Sequence, residues 1–136
     1  MGSWLKHHKG KKELEVVIVN GKKLWYFPDC DLPPAGDSQL KGHESIIVLN
    51  DSDFDATLNM TLFFTDQDPV RVNNLIVEKQ RVRCIRMDNK TELHGFEVPL
   101  EIQYALKVES DQNVIIQYGR LDSRQTNLAY YTTLGY

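Results

Sequence analysis

Between Ala56 and Phe64 the chain alternates without a break: Ala56, Leu58, Met60, Leu62 and Phe64 share one side, and Thr57, Asn59 and Thr61 the other. A period of two over this length predicts a strand with one face on a core and one face in water. Other runs have the same character. Glu13–Val19 and Lys22–Phe27 flank Asn20-Gly21, a dipeptide that accepts the positive φ values of a type I′ turn, and predict a hairpin. Ser45–Leu49 is apolar on both faces and predicts a central strand. Val70–Val77 and Arg81–Met87 predict a second hairpin about Glu78-Lys79-Gln80. Glu101–Val108 reads as a strand rather than a short helix, because Ser110-Asp111-Gln112-Asn113 has the composition of a tight turn into Val114. Ala129–Leu134 ends the series. The count is eight or nine short, evenly spaced strands with no convincing helix, which predicts an all-β chain folded as a single antiparallel β-sandwich.

A length of 136 residues suits one domain with its own core. Residues 1–12 are basic and aperiodic, a disordered arm or an expression remnant, so the domain is expected over 13–136. The arm carries +4 (Lys6, Lys9, Lys11, Lys12) and the remainder −7, and a mildly acidic body argues against general nucleic-acid binding. Neither a signal peptide nor a run of membrane-spanning length is present, and Cys30 and Cys84 are expected as free thiols, so a cytoplasmic protein with no membrane insertion is anticipated. Asp29–Gly42, with Pro33-Pro34 and Gly36, is a long loop of the kind that carries function or moves.

The densest polar chemistry lies in Gln117–Gln125. In an extended chain Arg120, Asp122 and Arg124 project to one side, a carboxylate between two guanidiniums. Two readings stand: a recognition site in which Asp122 accepts from a polar ligand, Arg120 and Arg124 donate, and Gln117 and Gln125 do either, or an ion-pair ladder between strands or subunits. His43-Glu44 opens the central strand. The pair offers acid–base or metal-binding groups, yet adjacent strand residues point to opposite faces; the alternative is a histidine on a loop carbonyl and a glutamate paired with an arginine. Trp25 offers a stacking face or a core residue. Arg81, Arg83 and Arg86 more simply balance carboxylates than bind phosphates. Asp51-Ser-Asp-Phe-Asp55 lacks the glycine and closing glutamate of a calcium loop and reads as a solvated turn. No nucleophile elbow, phosphate loop or Cys-x-x-Cys is present, so no catalytic residue, metal or cofactor is assigned and no enzyme is expected. A carbohydrate-active enzyme would have to use Glu44 and Asp122 as its carboxylate pair.

Several segments then match a known pattern in order and spacing. They are Trp25, Asp31-Leu-Pro-Pro34, Gly42-His43-Glu44 with Val48-Leu49-Asn50, Met60–Val70, Arg81–Arg86, Tyr104-Ala105, Ser110 and above all Gln117–Gln125. On these the chain resembles the sensory rhodopsin transducer family across about residues 22–136. The resemblance implies a compact β-sandwich that assembles as a homotetramer, binds small molecules of the sugar or polyol class, and passes a signal to a protein partner. It also implies His43, Glu44, Arg86, Gln117, Arg120, Asp122 and Gln125 as ligand-binding positions. Nothing in the chain identifies a membrane partner. The expectation is a non-enzymatic binding and signalling module; the alternative is an oligomeric scaffold in which the polar segment only joins subunits.

Overall fold

The computed structural model of the chain describes residues 20–124 and 129–136. Within them the regular structure is seven strands: β1 (Lys22–Asp31), β2 (His43–Asn50), β3 (Ala56–Phe64), β4 (Val70–Val77), β5 (Arg81–Arg86), β6 (Gln103–Asp122) and β7 (Ala129–Leu134). All strand pairings are antiparallel, and the order β4-β3-β6-β2-β5 is completed by β1 and β7, both on β6. The all-β antiparallel expectation therefore holds, while the strand count is seven rather than eight or nine.

Two features account for the count. Glu13–Val19 lies outside the described residues, although Gly21 does take the positive φ of 74° that the predicted turn needs. The second feature is β6 itself. Ser110–Asn113 continue the strand instead of turning, so two expected strands are one of 20 residues. Along β6, Tyr104, Leu106, Val108, Val114, Ile116 and Tyr118 are all buried and all of one parity, so a single row faces the core from end to end. Ser110 and Gln112 occupy the middle of that row, where pairing with β1 slips: Leu24 is opposite Glu109 but Lys22 is opposite Val114. There the Asp111 carboxylate accepts from the Thr57 amide at 2.8 Å.

The first half of β6 lies between β1 and β3, and its second half between β2 and β7. The sheet curls so that both halves share one core, which joins Phe27, Leu58, Met60 and Leu106 to Ile46, Ile85, Ile116 and Tyr118. Chain-end Tyr136 strengthens the curl by exchanging backbone hydrogen bonds with Tyr26 of β1. The predicted hairpin at Glu78–Gln80 is corrected: its strands form, but β4 pairs with β3 and β5 with β2. Their turn carries the chain between the two halves, and the Arg83 guanidinium donates across the gap to the Ile76 carbonyl at 2.7 Å. The Asp51–Asp55 turn is set by fully buried Asn50, whose amide nitrogen donates to the Phe54 and Val77 carbonyls and whose oxygen accepts from the Ser52 amide. Cys30 is buried and Cys84 exposed, and both are free.

Candidate functional site

The curl gathers polar groups at one end of the core. Glu44 is the second residue of β2; its inward parity with Ile46 and Val48 puts a carboxylate where exposure is 0%. A carboxylate there is tolerated only with its lone pairs satisfied. Oε1 accepts from the Tyr104 hydroxyl at 2.8 Å. Oε2 accepts from the Asp31 amide at 2.8 Å and from the Tyr118 hydroxyl. The Glu44 carbonyl accepts from the Met87 amide at 3.0 Å. One carboxylate thus ties β2 to the end of β1 and to both halves of β6. Burial pushes its pKa up, against the pull of Tyr118, the Asp31 amide, Tyr104 and the Arg120 charge. Burial also raises the Tyr104, Tyr118 and Cys30 pKa values, with the Glu44 charge adding to each.

Arg120 stands directly across from Glu44 on β6 and across from Tyr131 on β7. Its guanidinium carbon is 5.3 Å from the centre of the Tyr131 ring, and that ring meets Tyr118 edge-on at 6.2 Å. Arg120 is half-buried, yet no carboxylate or carbonyl among the described residues accepts from it. Asp122 differs. Arg124 curls back beyond the strand so that its Nε lies 3.0 Å from both Asp122 oxygens, while Nη1 reaches Glu101 at 3.0 Å. The Arg124 bonds hold the Asp122 pKa below its ordinary value. The expected alternation is therefore divided: Asp122 and Arg124 satisfy each other, and Arg120 does not join them in a ladder.

The loop after β1 rests on this segment. A Cβ on Gly36 would fall 1.7 Å from the Ser123 carbonyl oxygen, so that approach requires glycine. Ser123 is fully buried beneath it.

The remaining candidates disperse. His43 lies on the opposite face from Glu44, as adjacent strand residues must, with Nδ1 donating to the Lys41 carbonyl at 2.9 Å. Gln117 also faces outward, into a groove of about 590 Å³ lined with Thr132, Gly135 and Tyr136. Arg86 is held bidentately by Asp88 at 2.8 and 2.9 Å. Trp25 is 8% exposed, with Nε1 donating to the Lys22 and Val114 carbonyls and the Lys22 ammonium 4.5 Å from its ring. Gln125 lies outside the described residues. The sequence reading missed Tyr104, Tyr118 and Tyr131 as partners of the site; the parity that Tyr118 shares with Arg120 along one strand was the available signal. Among the described residues no group of three or more His, Cys, Asp or Glu is placed to hold a metal, and no helix is long and apolar enough to cross a membrane.

These features define a single all-β, antiparallel module whose polar site is organised around a sealed carboxylate. The family described as Anabaena sensory rhodopsin transducer matches residues 20–136, and the chain belongs to that family. The solved structure titled Crystal Structure of Thermotoga maritima 1070 is similar with a TM-score of 0.78 and 29% identity, covering 87% of this chain and 96% of the other. The Anabaena sensory rhodopsin transducer is similar with a TM-score of 0.67 and 27% identity, covering 80% of this chain and 96% of the other. No curated protein matches the chain.

Proposed function

We propose that this chain is a non-catalytic transducer module that binds a small polar ligand of the sugar or polyol class beside Arg120 and Asp122 and relays its presence to a protein partner. The observation carrying this reading is Arg120: half-buried, stacked on Tyr131 and without an acceptor among the described residues. A guanidinium offers five donors in a fixed plane, suited to vicinal hydroxyls or a carboxylate. Glu44 supports a non-enzymatic role. Its oxygens are filled by three donors and it has no exposure, while Asp122 is engaged by Arg124, so neither is free for general acid–base work. Free thiols at Cys30 and Cys84 fit a reducing, cytoplasmic setting. Relay requires the ligand to favour one of two states, and Glu44, one strand from Arg120, contacts enough segments to transmit a shift.

The test is a thermal-shift and calorimetric screen with neutral sugars, polyols and sugar acids on wild type and Arg120→Ala. A ligand that raises the melting temperature of wild type alone supports the assignment. An equal shift in the variant, or no shift with any member, refutes it.

A homotetramer is part of the same reading. On the outer face Leu49 stands between Val82 and Ile115, with exposures of 41%, 64% and 41%, an apolar row suited to subunit contact. Light scattering on Val82→Glu should show dissociation; an unchanged mass with the wild type tetrameric would move the contact elsewhere.

A further inference from the structure

We propose a second ligand site, for a small zwitterion with an apolar body such as an aliphatic α-amino acid, in the cleft between the loop after β1 and the loop from Met87 to Glu101. It is independent of the Arg120 reading. The cleft has a volume of about 200 Å³. Pockets for drug-sized molecules run from about 300 to 1,000 Å³, so this one admits only a small metabolite.

Its floor is apolar: Leu32, Met87 and Val98 are 2%, 0% and 3% exposed, and Leu100, at 53%, stands beside them. A hydroxyl-rich ligand would find few partners on that floor, whereas a short aliphatic chain would be covered. The charges are equally specific. Lys41, Lys90, Asp88 and Glu97 all line the cleft, so its formal charge is balanced. Asp88 is consumed by Arg86 at 2.8 Å and by Lys41 at 3.5 Å. Burial alone would raise its pKa, yet these two cations hold it below its ordinary value, so it remains an occupied anion. That leaves the Lys90 ammonium and the Glu97 carboxylate, neither with a partner among the described residues. A simple anion would meet Glu97 and a simple cation Lys90. A ligand carrying one charge of each sign satisfies both.

The cleft wall is fixed by the fold. Leu32 and Leu100 form a parallel bridge, and the Glu101 amide donates to the Leu32 carbonyl at 2.9 Å. Glu101 takes a φ of 55° there, a left-handed conformation unfavourable for a residue with a Cβ, which persists where surrounding contacts impose it.

The experiment titrates the full chain with L-leucine, isoamylamine (ammonium only) and 4-methylvaleric acid (carboxylate only), by calorimetry and thermal shift. L-Leucine should bind saturably and raise the melting temperature, and each single-charge analogue should bind about tenfold more weakly or worse. Lys90→Gln and Glu97→Gln should each weaken L-leucine about tenfold, while Arg120→Ala leaves it unchanged. Both substituted side chains are exposed, so the unliganded variants should keep the wild-type melting temperature. The proposal falls if L-leucine does not bind, if a single-charge analogue binds as well, if both variants retain full affinity, or if Arg120→Ala abolishes binding.

Discussion

Glu44 and Asp122 are carboxylates on neighbouring strands, β2 and β6, and the fold treats them in opposite ways. Glu44 is sealed, with two tyrosine hydroxyls and one amide as donors and a pKa pushed up by burial. Asp122 is half-exposed, chelated by a solvent-facing arginine, with its pKa pulled down. The first is a structural junction whose loss uncovers buried donors; the second is a surface pair that water and salt readily replace.

The sharpest way to break this contrast is Glu44→Ala. It leaves the Tyr104 and Tyr118 hydroxyls and the Asp31 amide without an acceptor, and should cost about 3 kcal/mol or more in urea denaturation. Tyr118→Phe removes one donor and leaves Oε2 with the Asp31 amide, so about 1–2 kcal/mol is expected from the same measurement. If either substitution is silent, Glu44 is not the junction described.

Acidity separates the two groups by sign. With its folded pKa raised, Glu44 gives stability that is fully present below its unfolded value and is lost as pH rises through the folded value. For Asp122, lowered in the fold, stability is present above its unfolded value and lost as pH falls through the folded one. Glu44→Gln should therefore flatten the decline in stability above the ordinary carboxylate range, measured by urea midpoints across pH. A profile unchanged by that substitution would contradict the assignment. The smallest effect belongs to Arg124→Ala: any change in midpoint at low salt should vanish at about 0.5 M salt, where exposed pairs are screened. A change that survives salt would place Arg124 in a sheltered contact instead.

Much of the fold was legible because period-two alternation is local. Ala56–Phe64 follows from its alternation and Ser45–Leu49 from a short apolar run, an equally local signal, and both fall within strands. Ser110–Asn113 misled, since turn-forming residues were carried through a strand by pairing on either side of them. The hairpin at Glu78–Gln80 misled for a related reason: a short connection says nothing about which edges its strands will find. At the site, the opposed faces of His43 and Glu44 were readable from parity alone. That Glu44 would meet two tyrosines from opposite halves of one strand was not readable, because it depends on how far the sheet curls. Nor could the sequence divide Arg120 from Arg124; only the chain's course past Asp122 decides which guanidinium the carboxylate keeps.

The central position of β6 also bears on how the protein is made. Strands β1, β2 and β3 each pair with residues between Gln103 and Leu121. During synthesis they leave the ribosome before the strand that joins them exists, so the β3–β4 and β2–β5 pairs can form early but cannot be joined into one sheet until β6 appears. Closure of the core is thereby deferred until β6 has been made. Until then the nascent chain carries apolar strands uncovered, the interval in which chaperone engagement or aggregation is decided.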